Sequence, residues 1–245
     1  MSLYLYVALV LAGAYFIRGI TGFGSGLIAV PLLALHLPLT FVVPLILLTD
    51  FTASLLIGGL NFSQVARDEI ARLLPPSLIG VLAGAWLLVS LPEPAMLLAL
   101  GTLVIVFALR DLVRRDGPLR PIAPAWAWPA ALTGGTVSAL FGTGGPPYVI
   151  YLSHRLFDKG RLRATLSGLF FIEGLTRILA FTLAGLLFAP NLPLAYAAAL
   201  PLVLAALWMG SHVHQRLSHQ AMRRLVALIL LGSGGALWFK ACALG

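Results

Sequence analysis

The same short pattern occurs twice inside apolar stretches of this sequence. Residues 18–35 read RGITGFGSGLIAVPLLAL, and residues 137–152 read VSALFGTGGPPYVIYL. Each stretch contains a Phe-Gly-hydroxyl-Gly tetrapeptide, at residues 23–26 and at residues 141–144. Glycine interrupts helices more readily than any other residue except proline. Both stretches therefore predict a helix that is broken within a long apolar segment.

The composition indicates what kind of protein can carry such breaks. The chain has 245 residues, of which 60% are hydrophobic and 10% are charged. Apolar runs of membrane-spanning length recur without the alternation of a β-barrel, so we predict an all-α polytopic membrane protein. The net charge of +8 comes from basic residues in short loops, which orient membrane helices, and we expect no nucleic-acid partner. The single cysteine, Cys242, excludes an internal disulfide.

Two of the apolar segments are too long for one crossing of the membrane. Segments 3–35 and 125–153 hold the tetrapeptides. As single helices they would measure roughly 44–50 Å, whereas the hydrocarbon core is about 30 Å thick. We therefore predict that each is a hairpin of two short helices, of about 12–15 residues each. Ordinary spans are predicted at 40–60, 73–91, 95–109, 164–188, 193–210 and 225–243.

Basic residues predict the orientation of these segments. Loops 110–124 and 154–163 each carry four Lys or Arg residues and flank the second hairpin. Both loops should therefore be cytoplasmic, and a segment with both ends on one side is a hairpin. The other loops then alternate between the two sides. Both chain termini are predicted to lie outside the cytoplasm.

The two halves of the chain share several short matches in the same order. FGSG pairs with FGTG at an offset of 118 residues (141 minus 23), and Asp50 pairs with Glu173. Residues 1–117 and 118–245 are thus predicted to be two repeats within one membrane domain, each a hairpin plus three crossings. Because three is odd, the second repeat would be inverted. Many secondary transporters are built this way, with broken helices at the binding site.

These features resemble those of a known protein family. GITGFGSGLIAVPLL (19–33) and SALFGTGGPPYVIYL (138–152), the half-chain repeat and the size are similar to the TauE/SafE family of sulfite exporters and related anion permeases. The resemblance covers essentially the whole chain. It implies a secondary transporter, and in the first place an exporter, of sulfite, an organosulfonate or a related sulfur-containing or carboxylate anion. It also implies a bacterial inner membrane as the location.

The helix breaks predict where the anion binds. A helix that starts after a break presents unpaired N–H groups and a positive partial charge, which an anion satisfies and lipid does not. Glycine lets the anion approach the backbone, and nearby hydroxyls donate to it. The alternative is that the glycines only allow close helix packing. The predicted substrate site comprises Thr21, Gly22, Phe23, Gly24, Ser25, Gly26, Ser138, Phe141, Gly142, Thr143, Gly144, Gly145 and Pro146.

Four charged residues within the apolar segments are candidates for binding or coupling: Arg18, Asp50, Glu173 and Arg177. Glu173 and Arg177 are four residues apart on one helix face, so they could neutralise each other instead of acting in transport. Asp50 has no partner nearby in the sequence. Its match to Glu173 suggests a protonatable pair that couples transport to protons. Arg18 could attract the anion, extend to the interface or pair with either acid.

Other classes of function find less support. The sequence contains no HExxH, GxSxG or GxxxxGK[ST] motif, so we expect neither an enzyme nor an ATP-driven pump, and no cofactor or metal site. A channel-like anion pore and a non-transporting membrane scaffold are the alternatives. The expected partners are a small anion, the lipid bilayer and a coupling proton or other ion. Assembly into a homo-oligomer is left open.

Overall fold

The computed structural model describes residues 2–21, 24–57, 64–113, 120–213 and 219–244. These residues form helices and short connections without β-strands, which confirms the predicted all-α fold class. The α-helices are α1 Leu3–Thr21, α2 Ser25–Leu33, α3 Leu39–Ile57, α4 Arg67–Ser90, α5 Glu93–Val113, α6 Ala127–Phe141, α7 Gly145–Ser153, α8 Lys159–Leu183, α9 Leu192–Val213 and α10 His219–Leu244. Single 3-10 turns lie at Pro124–Trp126 and Leu186–Phe188.

Six of the described helices are long and apolar enough to cross a membrane: α1, α4, α5, α8, α9 and α10. Helix α3 contributes a shorter apolar stretch, Leu39–Leu55. The last three residues of the predicted span 40–60 lie outside the described residues, as do 114–119, where the predicted repeat boundary falls. The described helices therefore agree with a polytopic membrane protein.

Both long segments are interrupted at the glycine-rich tetrapeptides. The first is broken between α1 and α2, and the second between α6 and α7. Gly24 precedes α2 with φ 97°, and Gly142 ends α6 with φ 67°. This left-handed region is sterically closed to most residues that carry a Cβ, but it is open to glycine. The breaks therefore strongly favour glycine at these two positions.

The arms of the two hairpins are less equal than predicted. Helices α1 and α2 have 19 and 9 residues, and α6 and α7 have 15 and 9. At 1.5 Å per residue, α1 alone is roughly 28 Å long, close to the thickness of the hydrocarbon core. The prediction of arms of about 12–15 residues holds for α6 but was wrong for α1, which is longer, and for α2 and α7, which are shorter. Gly13 and Gly19 do not interrupt α1, because single glycines are tolerated within a helix.

Helices of one half pack mainly on helices of the other half. Helix α1 packs along α9, and α6 packs along α4. Helix α3 also contacts α9, and α8 also contacts α4, while α5 packs along α10 and α3 touches α8. If α1–α5 correspond in order to α6–α10, each pairing has its counterpart. This packing supports a two-fold relation between the halves, and the inverted orientation of the second half stays a prediction.

Small residues allow the closest of these helix contacts. A Cβ added at Gly210 of α9 would collide with the carbonyl oxygen of Phe16 on α1. A Cβ at Gly80 of α4 would collide with the carbonyl oxygen of Leu132 on α6. Such close approach of backbones is how helices gain packing energy in lipid, where the hydrophobic effect does not drive their association. The two hairpins are therefore held by α9 and α4, which pack against their first arms.

Candidate functional site

The two helix breaks face one cavity of about 110 Å³. It is bounded by residues of α1, α2 and α3 from the first half and by residues of α6, α7 and α8 from the second. Nine of the thirteen predicted substrate-site residues line it: Gly24, Ser25, Gly26, Ser138, Gly142, Thr143, Gly144, Gly145 and Pro146. All four charged candidates line it as well: Arg18, Asp50, Glu173 and Arg177. Drug-sized ligands occupy roughly 300–1,000 Å³, so this cavity suits a small ion.

Four predicted residues are not among those that line the cavity. Gly22 and Phe23 lie outside the described residues, and so does the side chain of Thr21. Phe141 is 3% exposed and belongs to the main apolar core. Its backbone ends α6, but its ring turns away from the cavity because it packs with other apolar side chains.

Arg18 and Asp50 form an ion pair between α1 and α3. The same carboxylate oxygen, Asp50 Oδ1, accepts hydrogen bonds from Ser25 Oγ at 2.7 Å and from the Tyr15 hydroxyl. Arg18 Nη2 donates to Ser54 Oγ at 2.7 Å. Among the roles that the sequence left open for Arg18, the structure shows the pairing with Asp50. The partners of Asp50 come from α1 and α2, which are far from Asp50 in sequence.

Arg177, unlike Arg18, has no carboxylate bound to its guanidinium among the described contacts. Its side chain is buried, with the residue 7% exposed, and Nη1 donates to Ser138 Oγ at 3.1 Å. Among the described residues, Nε and Nη2 have no hydrogen-bond partner. Nη2 faces the second break, since a Cβ added at Gly142 would lie 4.0 Å from it. A buried cation without a counter-ion is costly, so this guanidinium is suited to hold an anion.

Glu173 and Arg177 both lie within the described residues, and they form no direct ion pair. Within the described part of the chain, no ion pair of 4.0 Å or less joins the two side chains, although they are one helical turn apart. Glu173 is 3% exposed and accepts a hydrogen bond from the Tyr148 hydroxyl at 3.3 Å. That hydroxyl also lies 2.8 Å from Ser77 Oγ of α4. The local pairing allowed by the four-residue spacing is absent because Glu173 bonds to α7 and Arg177 bonds to α6.

The two halves place similar groups but assign the charges differently. In the first half the arginine is on α1 and the serine, Ser54, is on α3. In the second half the serine, Ser138, is on α6 and the arginine is on α8. Ser54 and Arg177 each follow the matched acid of their half by four residues. Each half therefore has an arginine–serine hydrogen bond. In the first half the acid also forms an ion pair with the arginine, and in the second half it does not.

The glycines of the breaks have two different roles. A Cβ at Gly26 would collide with the carbonyl oxygen of Gly142, so the two breaks touch there. A Cβ at Gly24 would meet no heavy atom within 4 Å, and that residue is required by its positive φ. Close packing therefore explains Gly26, whereas backbone conformation explains Gly24. The packing alternative therefore accounts for Gly26 but not for Gly24, where there is open space that a ligand could enter.

A buried ionic cluster at the base of the second hairpin escaped the sequence reasoning. Glu69 is 5% exposed and accepts hydrogen bonds from Arg155 Nη2 at 2.9 Å and from the Tyr151 hydroxyl at 2.7 Å. Arg72 Nη1 lies 3.1 Å from the same carboxylate. Glu69 resembles the acids that commonly occupy the first turn of a helix, so its sequence position gave no sign of burial. The cluster ties α4 to the end of α7.

Comparison with known proteins identifies the family. The family model described as sulfite exporter TauE/SafE matches residues 6–237. The chain is 30% identical over 192 residues to the "Probable inner membrane transporter protein TsaS" of Comamonas testosteroni, which covers 78% of this chain and 80% of that protein. It is 27% identical over 241 residues to the "Probable sulfite/organosulfonate exporter TauE" of Cupriavidus necator. That alignment covers 96% of this chain and 93% of the relative. No solved structure matches significantly. A match over nearly the whole chain shows that this protein belongs to the TauE/SafE sulfite exporter family of membrane transporters.

Proposed function

We propose that this protein is a secondary carrier that exports a small sulfur-containing or carboxylate anion, such as sulfite or an organosulfonate, across a bacterial inner membrane. The observation that carries the proposal is the buried guanidinium of Arg177, whose Nε and Nη2 have no partner among the described residues. Arg177 lies where the two helix breaks meet. The name of the Cupriavidus necator relative supports the class of substrate, and the name of the Comamonas testosteroni relative supports an inner membrane location.

The anion would bind closer to the second half of the site than to the first. The start of α2 already has a negative neighbour, because Ser25 Oγ donates to Asp50. Near the start of α7, Glu173 contacts only the Tyr148 hydroxyl among the described hydrogen bonds, whereas Thr143 and Gly144 line the cavity beside this helix end. Pro146 and Pro147 have no N–H group, so the backbone donors at this break come from residues before them. Arg177, Ser138 and the Gly144–Gly145 backbone would thus form the main contacts.

Transport would occur by alternating access. Residues of both halves form the cavity, and the two breaks touch at Gly26 and Gly142. Rocking of one half against the other would open the cavity to each side in turn, as in other carriers with broken helices near the midplane. The direct contact between the breaks favours this model over a continuous pore.

The proposed coupling ion is a proton carried by Glu173. Asp50 is a poorer candidate than the sequence suggested, because its carboxylate is already paired with Arg18. Within the described residues, Glu173 forms no ion pair, and it is almost fully buried. Buried acids without a counter-ion are typical of proton-coupled transporters.

Flux measurements in proteoliposomes test the proposed function. We expect saturable efflux of radiolabelled sulfite or sulfoacetate, and acceleration of that efflux when unlabelled substrate is present on the other side. Such acceleration indicates a carrier, because the substrate-bound protein changes from one access state to the other faster than the empty protein does. Flux without saturation or acceleration would indicate the channel-like pore, and absence of flux for both compounds would favour a non-transporting scaffold.

The proposed topology is tested by cysteine labelling. In a Cys242→Ala background, Ala123→Cys and Phe157→Cys should label from the cytoplasmic side, and Pro190→Cys should label from the opposite side. The first two residues flank the second hairpin, within the strongly basic loops. Native Cys242, which is exposed near the C-terminus, should label from outside. Labelling of Ala123→Cys and Phe157→Cys from opposite sides would contradict the hairpin and the inverted repeat.

A further inference from the structure

Resting on the proposed transport function, we infer that Glu173 and the substrate are alternative partners of Arg177, so that each monovalent anion binds together with one proton. The carrier would then be a proton–anion symporter with both ions at one site, and it would export whenever the outward gradient of the anion exceeds the inward gradient of protons. This inference concerns the charge of the substrate and the direction of coupling, which the family match does not specify.

The charged groups that face Glu173 determine this coupling. Helix α1 contributes Arg18 and α3 contributes Asp50, and these two neutralise each other. Helix α7 contributes Tyr148, α4 contributes Ser77 and α6 contributes Ser138, all of which are neutral hydroxyls. Helix α8 contributes Glu173 and Arg177. The net charge of the cavity is therefore about zero when Glu173 is ionised and about +1 when it is protonated.

A net charge buried in a membrane protein is unfavourable, so two neutral combinations dominate. In the first, ionised Glu173 balances Arg177 without a substrate. In the second, protonated Glu173 and a bound monovalent anion coexist with Arg177. Binding the anion while Glu173 stays ionised would place two negative groups beside one arginine. Protonation of the Glu173 carboxylate, which forms one O–H bond and breaks none in the substrate, removes this repulsion.

The geometry allows Glu173 and the anion to exchange on Arg177. The two side chains are one turn apart on α8, a spacing at which Glu and Arg can reach each other. Arg177 uses only Nη1 for a described hydrogen bond, which leaves Nε and Nη2 for a carboxylate or an anion. Glu173 is held at 3.3 Å by a hydroxyl that is also shared with Ser77, so its present hydrogen bond is a weak restraint.

This arrangement favours a substrate with one negative charge. A sulfonate or bisulfite would balance the cavity with Glu173 protonated, whereas a dianion would leave an uncompensated charge. The first half of the site cannot supply the second positive charge, because Asp50 occupies Arg18. We therefore expect monovalent oxyanions to bind more tightly than divalent anions of similar size.

Calorimetric titration of the full-length protein in lipid nanodiscs tests the inference. The probe is methanesulfonate, which keeps one negative charge between about pH 5 and pH 9, so that only the protein titrates. The anion-bound state holds the extra proton. At pH values above the point at which Glu173 loses its proton in the empty protein, Kd should therefore rise by up to about tenfold for each pH unit. Titrations in two buffers of different ionisation enthalpy should show uptake of up to one proton per anion.

Two variants make the test specific. Glu173→Gln mimics the protonated acid and should bind methanesulfonate tightly with no dependence on pH. Glu93→Gln changes an acid outside the cavity and should retain the wild-type dependence on pH. The melting temperature of each empty variant shows whether it is folded.

Three results would overturn the symport inference while leaving an anion carrier in place. These are a wild-type Kd that does not change with pH, release of protons when the anion binds, and loss of binding in folded Glu173→Gln. Failure of the wild-type protein to bind either methanesulfonate or sulfite at every pH would instead overturn the proposed function, and the inference with it.

Discussion

Replacing Arg177 with glutamine is expected to weaken anion binding by roughly 30- to 3,000-fold, because truncating one partner of a buried charge pair typically costs about 2–5 kcal/mol. Arg177 is the cavity cation that has two unpartnered nitrogens among the described residues. Glutamine would leave the anion without its counter-charge. The measurement is the Kd for sulfite or methanesulfonate in nanodiscs, accompanied by efflux from proteoliposomes.

The stability of the empty protein distinguishes a binding role from a structural role. A buried guanidinium with unsatisfied nitrogens is costly, and Glu173 can be neutralised by a proton when Arg177 is removed, so Arg177→Gln should change the melting temperature of the empty protein little. A residue with a purely structural role would give the opposite result, with a lower melting temperature and little change in Kd. Arg177→Lys should bind with intermediate affinity, since it keeps the charge but loses the planar fork.

The matched control removes the other arginine together with its acid. The double variant Arg18→Gln/Asp50→Asn deletes an ion pair that is already neutral as a unit. We expect it to weaken anion binding far less than Arg177→Gln does. Equal losses of affinity in the two variants would contradict the assignment of the anion to the second half of the site.

Replacing Glu69 with alanine is expected to destabilise the protein by about 1.5–3 kcal/mol, the usual contribution of hydrogen bonds to a charged group. The Glu69 side chain is 7% exposed, and the change would leave Arg155 and the Tyr151 hydroxyl without their acceptor. The base of the second hairpin would thereby lose its attachment to α4. Reversible unfolding in mixed micelles, or the melting temperature in one detergent, measures the effect.

Glu93 provides the matched control. It pairs with Lys240 at 3.1 Å, but its side chain is 43% exposed. Exposed ion pairs contribute little because solvent screens them, so Glu93→Ala should cost less than about 1 kcal/mol. A similar loss of stability in both variants would show that the Glu69 cluster is not a specific attachment of the hairpin.

Composition and local pattern were sufficient for the fold class and for the position of both helix breaks. Apolar runs of spanning length predict membrane helices, because lipid leaves the backbone few other ways to form its hydrogen bonds. The breaks at Gly24 and Gly142 were predictable, since positive φ is a property of single residues and glycine is the residue that tolerates it. Nine of the residues chosen on this reasoning line one cavity in the structure, and their role in binding stays a prediction.

The lengths of the hairpin arms were harder to predict from the sequence. Hydropathy shows where a segment is apolar but not where in the membrane it bends, so α1 was expected to be shorter than its 19 residues. The burial of Glu69 was also not predictable from the sequence. Glu69 follows Asp68 in a polar stretch at the start of α4, and only the packing of α7 against it removes it from solvent.

What the sequence by itself determined is the set of groups: two glycine breaks, two acids and two arginines within apolar segments. What only the tertiary structure decided is how these groups pair. Arg18 meets Asp50 across 32 residues of sequence, and Arg177 meets Ser138 across 39. Pairing depends on which helices lie side by side, and helix association in lipid is set by packing over whole surfaces rather than by any single residue. The sequence spacing favoured a Glu173–Arg177 pair, but the positions of α6 and α7 gave each side chain another partner and left part of Arg177 available for an anion.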